Sequence, residues 1–328
     1  MKNLNPKISV LMPAYNAEKF IDKAIKSILS QTFTDFEFII INDGSTDNTE
    51  EIILSFTDSR IRYVKNETNI KLIQTLNKGI ELARGKYIAR MDSDDISTPQ
   101  RLELQYQFME GNPHIGASSG LIYTISEDGN KIGHSNQYLC TTPTSCIFSS
   151  LLRTPISHPS AFIRTDILKK IKYSNDKAAL HIEAFVLWGD IIENGYQIAI
   201  LEKPLVYYRN NSQSISHKYK ELQMRNHAKF SKIHIERCLN MKIEQKAVDD
   251  LFITDSTITI RRLNIALKQV DNLYHKFTEK YELTNKELTQ ITQFKKEFKK
   301  SILLRNGKRG PLSVKIISML QLIKLIFS

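Results

Sequence analysis

Apolar and polar positions alternate between two periods along the first ninety residues. Short runs of consecutive apolar residues, typical of buried strands, are followed by segments whose apolar residues recur every three or four positions, typical of helices. This alternation predicts a largely parallel sheet with helices on its faces, and hence an α/β fold. The predicted strands are 8–12, 36–41, 61–64 and 87–91, and the predicted helices are 17–30, 49–56 and 70–83.

The pattern becomes less regular after residue 100. It predicts helices at 100–109 and 182–193, a hairpin turn at 128–130, and strands at 117–125, 197–201 and 205–208, the last two on either side of Pro204. From residue 219 onward the sequence is helical in pattern and rich in lysine. We therefore expect an α/β domain over residues 1–217, a basic helical region over 218–310 and a C-terminal helix over 311–328.

The C-terminal segment 311–328 is strongly apolar, with breaks at Lys315, Ser318, Gln321 and Lys324. Breaks at every third position predict a helix with one polar stripe. Two lysines and a length of about 27 Å suit a helix lying in the membrane interface better than one crossing the bilayer. The alternative is a terminal helix packed on the protein itself.

The net charge of +11 is unevenly distributed along the chain. Residues 1–210 hold 23 Lys and Arg against 24 Asp and Glu, whereas residues 211–328 hold 23 against 11, so the two parts carry −1 and +12. A basic C-terminal part indicates an anionic partner, which can be a membrane surface, nucleic acid or a phosphorylated substrate. Aromatic residues in this part recur at helical spacing, which favours a packed helix over a base-stacking surface, so nucleic-acid binding is not expected.

The three cysteines, Cys140, Cys146 and Cys238, form no CxxC pair and are odd in number. This pattern favours a reducing compartment over a disulfide framework. The first predicted strand begins about eight residues from the start, which leaves no room for a secretory leader. We expect a cytoplasmic protein, held peripherally on the inner face of the cytoplasmic membrane.

Polar residues follow three predicted strands at the point where each ends. Asp92, Ser93, Asp94 and Asp95 follow the fourth strand, Asn42 and Asp43 follow the second, and 13–16 follow the first. In open α/β sheets ligands bind at this edge, so these residues are expected to meet in one crevice. Taken alone, the acidic run has the alternative interpretation of a solvated turn that caps the next helix.

Neither a dinucleotide-binding glycine motif nor a P-loop follows the first strand. Clustered carboxylates would repel a phosphorylated ligand, so the acidic run implies that a divalent cation bridges the protein and a pyrophosphate. The chemistry that follows is stabilisation of a phosphorylated leaving group.

Three segments carry a resemblance to a known family: VLMPAYN at 10–16, IIINDGSTDNT at 39–49 and ARMDSDDISTPQRL at 89–102. With their spacing they resemble family 2 glycosyltransferases of the GT-A fold, over residues 7–217. The resemblance implies a Rossmann-like, mostly parallel nucleotide-sugar-binding sheet with flanking helices, followed here by a helical C-terminal appendage. It also implies a nucleotide-sugar donor and a Mn²⁺ or Mg²⁺ cofactor.

The resemblance assigns roles to residues of the three segments. Asp94 would bind the metal, Asp92 would face the ribose or the metal, and Asp95 would act in catalysis beside the donor sugar. Arg90 would orient these carboxylates or simply pair with them, as would Arg101. The residues expected to bind the nucleotide sugar are Pro13, Ala14, Tyr15, Asn16, Asp43, Arg90, Asp92 and Ser93.

The sequence departs from the family pattern at the position of the general base. Ala184 stands where the family has an aspartate, and the neighbouring Glu183 is the candidate replacement, with Asp190 a weaker one. Asn211 stands where the family often has a histidine near the metal, and we expect it to serve as a third ligand. His158, in the segment that shapes the acceptor side, is expected to be structural.

The resemblance therefore implies an inverting, metal-dependent glycosyltransferase that moves a sugar from a nucleotide sugar, expected to be UDP-linked. The expected acceptor is a polysaccharide or a lipid-linked oligosaccharide of the cell surface. The alternative is a catalytically impaired subunit of the same fold that binds a nucleotide sugar or a partner enzyme.

Overall fold

The computed structural model describes residues 5–134, 139–210, 219–253 and 258–327. The chain divides into two compact units. The first comprises Met1–Tyr138, Ile156–Lys177 and Val186–Ser214, and the second comprises Leu139–Pro155, Ala178–Phe185 and Ile215–Ser328. The second unit thus takes in two segments that precede residue 217, and the domain boundary at 217 stays a prediction.

The first part of the chain forms the predicted strand and helix alternation. Every residue of the first two strands is buried, because helices cover both faces of the sheet. The first strand pairs in parallel with the second and with the fourth, and the second also pairs in parallel with the third. The elements are β1 (Ile8–Ala14), α1 (Ile21–Leu29), β2 (Phe36–Asn42), α2 (Thr49–Leu54), β3 (Ile61–Lys65), α3 (Leu72–Leu82) and β4 (Tyr87–Arg90).

The middle of the chain completes the sheet with shorter and partly antiparallel strands. Its elements are β5 (Ile96–Ser97), α4 (Arg101–Gly111), β6 (Ile115–Ile125), β7 (Lys131–His134), α5 (Pro143–Ser150), β8 (Phe162–Arg164), α6 (Thr165–Ile171), a 3₁₀ turn at Lys177–Ala179, α7 (Glu183–Glu193) and β9 (Gln197–Arg209). In the described residues the strand order is β3-β2-β1-β4-β8-β6-β9-β5, with β7 paired to β6.

Strand β9 is continuous where the sequence predicts two strands around Pro204. Its parallel pairing with β6 shifts at this point, since Leu201 is opposite Gly120 and Pro204 is opposite the next residue, Leu121. Proline has no N–H to donate to the ladder and is confined to edges and bulges. The irregularity therefore accommodates Pro204 without ending the strand.

The second unit is helical, as the sequence from residue 219 predicts. Phe148 of α5 is fully buried in it, with its ring edge-on to Phe277 and Phe294 at centroid distances of 5.1 and 5.8 Å. Among the described residues no helix has both the length and the apolar character that crossing a membrane requires. The C-terminal helices are α8 (Lys220–Leu239), α9 (Gln245–Phe252), α10 (Ile260–Lys280), α11 (Asn285–Arg309) and α12 (Leu312–Phe327).

His227 of α8 gives the second unit a pH-dependent stability. Its ring stacks on Phe185 at 3.9 Å and contacts Phe252 edge-on, and burial together with the charge of Arg153 lowers its pKa to about 3. Below about pH 6.5 the unfolded chain protonates this histidine and the folded chain does not. The stability that this neutral histidine contributes is therefore fully present above pH 6.5, and it falls as the pH drops from 6.5 toward 3.

We expect His227→Phe to flatten this dependence, because it removes the titrating group and keeps the ring packing. The free energy of unfolding should lose up to about 1.4 kcal/mol less per pH unit than that of the wild type between pH 6 and 4. Urea unfolding at several pH values measures the slope. His275→Phe, at an exposed position of α10, is the control and should keep the wild-type slope. An unchanged slope in His227→Phe would contradict the assignment.

Candidate active site

The carboxyl ends of β1, β2 and β4 lie at one edge of the sheet. Ala14 of β1 is opposite Asn42 of β2, and Arg90 of β4 is opposite Leu11 of β1. The three polar segments that follow these strands therefore leave the sheet on the same side, as expected for a ligand-binding edge.

The loops after β1 and β2 are joined by hydrogen bonds. Asn16, in the left-handed conformation at φ 48°, donates its N–H to Ser45 Oγ at 3.0 Å, and its Oδ1 accepts from the Thr46 N–H at 2.9 Å. Pro13 and Ala14 are buried, whereas Tyr15 is 48% exposed. Of the residues assigned to the nucleotide in this loop, Tyr15 and Asn16 are the exposed ones, and Asn16 also braces the second loop.

Asp43 is buried and holds the loop between β3 and α3. One carboxylate oxygen accepts from Asn66 Nδ2 at 2.8 Å and from the Ile70 N–H at 3.0 Å, and the other accepts from the Lys71 N–H at 3.1 Å. The next residue, Gly44, has φ +69°, and a Cβ there would lie 2.6 Å from the carbonyl carbon of Thr68. Asp43 thus shapes this part of the crevice, and its contact with a nucleotide base stays a prediction.

The carboxylates of Asp92, Asp94 and Asp95 form a cluster. One oxygen from each lies within 4.8 Å of the others. Burial and the charge of Asp92 raise the pKa of Asp94 to about 6. Burial and the charges of both other aspartates raise the pKa of Asp95 well above its ordinary value. Ser93, within the same run, is half-buried. The cluster therefore needs a positive partner to hold all three negative charges.

The donor atoms of this cluster suit a hard divalent cation. Asp95 is fully buried, its Oδ1 accepts from the Arg209 N–H at 2.8 Å, and its Oδ2 has no hydrogen-bond partner among the described residues. Carboxylate oxygens are the ligands that Mg²⁺ and Mn²⁺ prefer. The residues thus fit the expected cation. Asn211, the expected third ligand, lies outside the described residues.

Arg90 and Arg101 lie in the interior next to the cluster. Arg90 donates from its guanidinium to Asp92, and although burial alone would lower its pKa, the Asp92 charge raises it. Arg101 donates to the carbonyl oxygen of Arg90 and, at 3.0 Å, to Ser97 Oγ, and burial together with the Arg90 charge lowers its pKa to about 9. Arg90 therefore orients a carboxylate, and Arg101 braces the end of β4.

Arg209, at the end of β9, is a site residue that the sequence analysis missed. Its guanidinium Nε donates to the Asp94 carbonyl oxygen at 2.8 Å, and a second nitrogen donates to the Glu127 carbonyl oxygen at 2.6 Å. Together with the bond from its N–H to Asp95, it fastens the acidic loop to the β6–β7 turn. The sequence signal is the position of Arg209 directly after the strand predicted at 205–208, since an arginine that becomes buried at a strand end needs acceptors nearby.

His158 is held by aromatic residues of the first unit. Its Nε2 is 2.7 Å from the Tyr173 hydroxyl, and its ring lies edge-on to Trp188. Burial and the charge of Arg90 lower its pKa well below the ordinary value, so the ring stays neutral. His158 is thus a buried, neutral ring with an aromatic partner on two sides, and its structural role stays a prediction.

Glu183 begins α7, and Ala184 follows it within the second unit. Asp190 lies about two turns further along the same helix. The start of α7 therefore carries the carboxylate of Glu183. The role of Glu183 as general base stays a prediction.

Comparison with known sequences identifies the family. The family model described as "Glycosyl transferase family 2" matches residues 9–172, half of the chain. An uncharacterized glycosyltransferase of Methanocaldococcus jannaschii is 38% identical over 62% of this chain and 71% of its own length. Another, of Haemophilus influenzae, is 31% identical over 85% of this chain and 89% of its own length. The chain belongs to glycosyltransferase family 2.

A named relative of this glycosyltransferase is WfgD of Escherichia coli, a "UDP-Glc:alpha-D-GlcNAc-diphosphoundecaprenol beta-1,3-glucosyltransferase". It is 30% identical over 66% of this chain and 82% of its own length. These relatives confirm the prediction of a transferase.

Solved structures confirm the GT-A fold of the glycosyltransferase. TarS 1-349 of S. aureus, in complex with UDP-GlcNAc, matches with a TM-score of 0.57 and 18% identity over 92% of each chain. The mannosyltransferase PcManGT of Pyrobaculum calidifontis, in complex with GDP-Man and Mn²⁺, matches with a TM-score of 0.57 and 12% identity over 99% of this chain and 81% of its own.

We expect Asp94→Asn to stabilise the metal-free glycosyltransferase and to abolish its thermal response to Mn²⁺. Removing one of three mutually repelling carboxylates should raise the free energy of unfolding by about 1–3 kcal/mol. Mn²⁺ should raise the unfolding temperature of the wild type, because it binds the folded state. Thermal scans with EDTA and with Mn²⁺ measure both effects.

Asp22→Asn is the matched control, because Asp22 pairs with Lys26 at the surface of α1. It should keep the wild-type response to Mn²⁺. An equal response to Mn²⁺ in Asp94→Asn would show that the acidic cluster is not the cation site.

Proposed function

We propose that this protein is an inverting, metal-dependent glycosyltransferase that takes a sugar from a UDP-linked donor. The observation that carries the proposal is the cluster of Asp92, Asp94 and Asp95 at the carboxyl edge of the sheet. Support for the donor comes from TarS, whose structure holds UDP-GlcNAc, and from WfgD, which is named for UDP-Glc. PcManGT, in complex with GDP-Man and Mn²⁺, supports the metal.

The residues at the carboxyl edge of the sheet have different roles in donor binding. Tyr15 offers an accessible ring beside the β1 end, and Asp43 fixes the loop after β3. Asp94, with Asp92, would hold the cation, and Arg90 keeps Asp92 oriented. When bound, Mn²⁺ or Mg²⁺ would offset the charge of the diphosphate and stabilise the nucleoside diphosphate as a leaving group. Asp95 would lie beside the donor sugar.

Transfer requires a base for the hydroxyl group of the acceptor. As the acceptor oxygen bonds to the anomeric carbon, the bond from that carbon to the phosphate oxygen breaks and the hydroxyl proton passes to a carboxylate. We assign this role to Glu183, because Ala184 has no group that accepts a proton. If neither Glu183 nor the weaker candidate Asp190 accepts the proton, the protein is the impaired subunit that binds the donor without turnover.

The acceptor that we propose is a saccharide or a lipid-linked glycan of cell-surface polysaccharide synthesis. WfgD is named for a GlcNAc-diphosphoundecaprenol acceptor, and TuaG of Bacillus subtilis, which is 29% identical, is named for teichuronic acid biosynthesis. A lipid-linked acceptor favours peripheral association of the enzyme with the inner face of the cytoplasmic membrane. The basic C-terminal part supports this placement.

Nucleoside diphosphate release tests the proposal. The purified protein is incubated with Mn²⁺ and a panel of UDP-, GDP- and dTDP-sugars, with and without saccharide and polyprenyl-diphosphate-linked acceptors. We expect release from one UDP-sugar. Both Asp94→Asn and Glu183→Gln should lower it by about 100-fold or more, since each removes a group that acts in the transition state. Asp22→Asn should retain wild-type turnover.

Donor binding separates the two functions. Wild-type turnover that Glu183→Gln leaves intact would exclude Glu183 as the base. Donor binding that depends on Mn²⁺, with no turnover on any acceptor, would support the impaired subunit, and Ala184→Asp would then be expected to restore activity.

A further inference from the structure

Helix α12 exposes a row of large apolar side chains. They recur every three or four positions, so they lie on one face of the helix. Between 43% and 74% of each residue is accessible, which is unusual for so many neighbouring apolar side chains on a water-facing surface. The residues of this outer face are Leu312, Ile316, Met319, Leu320, Ile323 and Ile326.

The opposite side of α12 packs on α11 through small and polar residues. Val314 and Ser318 are buried, and a Cβ added at Gly307 of α11 would lie 3.7 Å from Ser318 Cβ. A Cβ at Gly310 would lie 2.9 Å from Val314 Cγ1, so this glycine allows the close approach at the turn. Gln321 points to the same side and donates to Asn264 Oδ1 at 2.9 Å.

The polarity of α12 is therefore reversed relative to a helix that faces water. The sequence predicts one polar stripe, but Ser318 and Gln321 are turned toward the protein and apolar side chains are turned outward. Lys315 and Lys324 remain exposed at the two margins of the outer face. A helix with its apolar face outward and lysines at its margins is typical of one that lies in the membrane interface.

Charge decides which partner this face fits. Glu297 is the last acidic residue of the sequence, and residues 298–328 carry seven Lys and Arg. Four of them, Lys308, Arg309, Lys315 and Lys324, are exposed. Two copies of this face would bring like charges together, whereas anionic lipid head groups would neutralise them.

We propose that the outer face of α12 docks on the surface of an anionic bilayer, with its apolar row among the acyl chains and its lysines at the head groups. The inference specifies the surface used in the peripheral association proposed above. It does not depend on the transfer reaction, so vesicle binding and turnover can fail separately.

Vesicle co-sedimentation of the full chain tests the proposal. Vesicles rich in phosphatidylglycerol are compared with pure phosphatidylcholine, for the wild type and for the double variant Met319→Glu with Ile323→Glu. We expect the wild type to prefer anionic vesicles, and the variant to bind them about tenfold more weakly or worse, because two negative charges replace two inserting side chains. Raising the salt concentration should weaken wild-type binding.

The control is the double variant Leu54→Glu with Leu288→Glu, which places the same charges at other exposed apolar positions. It should bind as the wild type does. Because the substituted side chains are exposed, circular dichroism and donor hydrolysis should match the wild type for both variants. Unchanged vesicle binding by the α12 variant, or equal binding to both lipids, would overturn the proposal.

A second copy of the chain is the competing occupant. Sedimentation velocity without vesicles distinguishes it. A wild-type dimer that the α12 variant abolishes, together with no vesicle binding, would overturn the membrane proposal. A monomer at all concentrations, with binding to anionic vesicles, supports it.

Discussion

The arrangement of the first unit depends on one constraint, which is that three carboxylates lie close together at the carboxyl edge of its sheet. Burial and mutual repulsion act against their ionisation, as the raised pKa values of Asp94 and Asp95 show. Two buried arginines compensate: Arg90 pairs with Asp92, and Arg209 donates to the main chain of Asp94 and to the Asp95 carboxylate. These arginines end β4 and β9, which β8 and β6 separate in the sheet, so the irregular half of the sheet is needed to place the cluster.

The same hydrogen bonds preorganise the carboxylates of the acidic loop for ligand binding. Asp92 is oriented by the buried guanidinium of Arg90, and the main-chain carbonyl oxygen of Arg90 accepts a hydrogen bond from Arg101. The carboxylate of Asp95 is fixed through one oxygen, while the other has no partner in the described residues. Groups whose positions are set before a ligand arrives lose little entropy on binding it, and their outer contacts determine how well they bind.

The parallel half of the fold could be predicted from the sequence because each of its elements has a characteristic local pattern of apolar and polar residues. The fully buried strands read as apolar runs, and the residues after them point to the ligand-binding edge. Strands β5 and β8, with two and three residues, are too short for such a signal. The role of Arg209 was missed because its partners, Asp95 and Glu127, are distant in sequence. The inward turn of Ser318, which lies beside Gly307 of α11, is a tertiary contact that the period of α12 does not reveal.

The composition of the second unit has a consequence for the order in which the chain folds. Phe148 of α5 lies against Phe277 and Phe294, which the ribosome adds well over a hundred residues later. During synthesis α5 therefore remains without its aromatic neighbours until nearly the whole chain has emerged. A nascent chain of this kind exposes apolar surface for many seconds, since translation adds about 5–20 residues per second. The order of these elements along the chain thus leaves the segment around α5 in need of chaperone protection during synthesis.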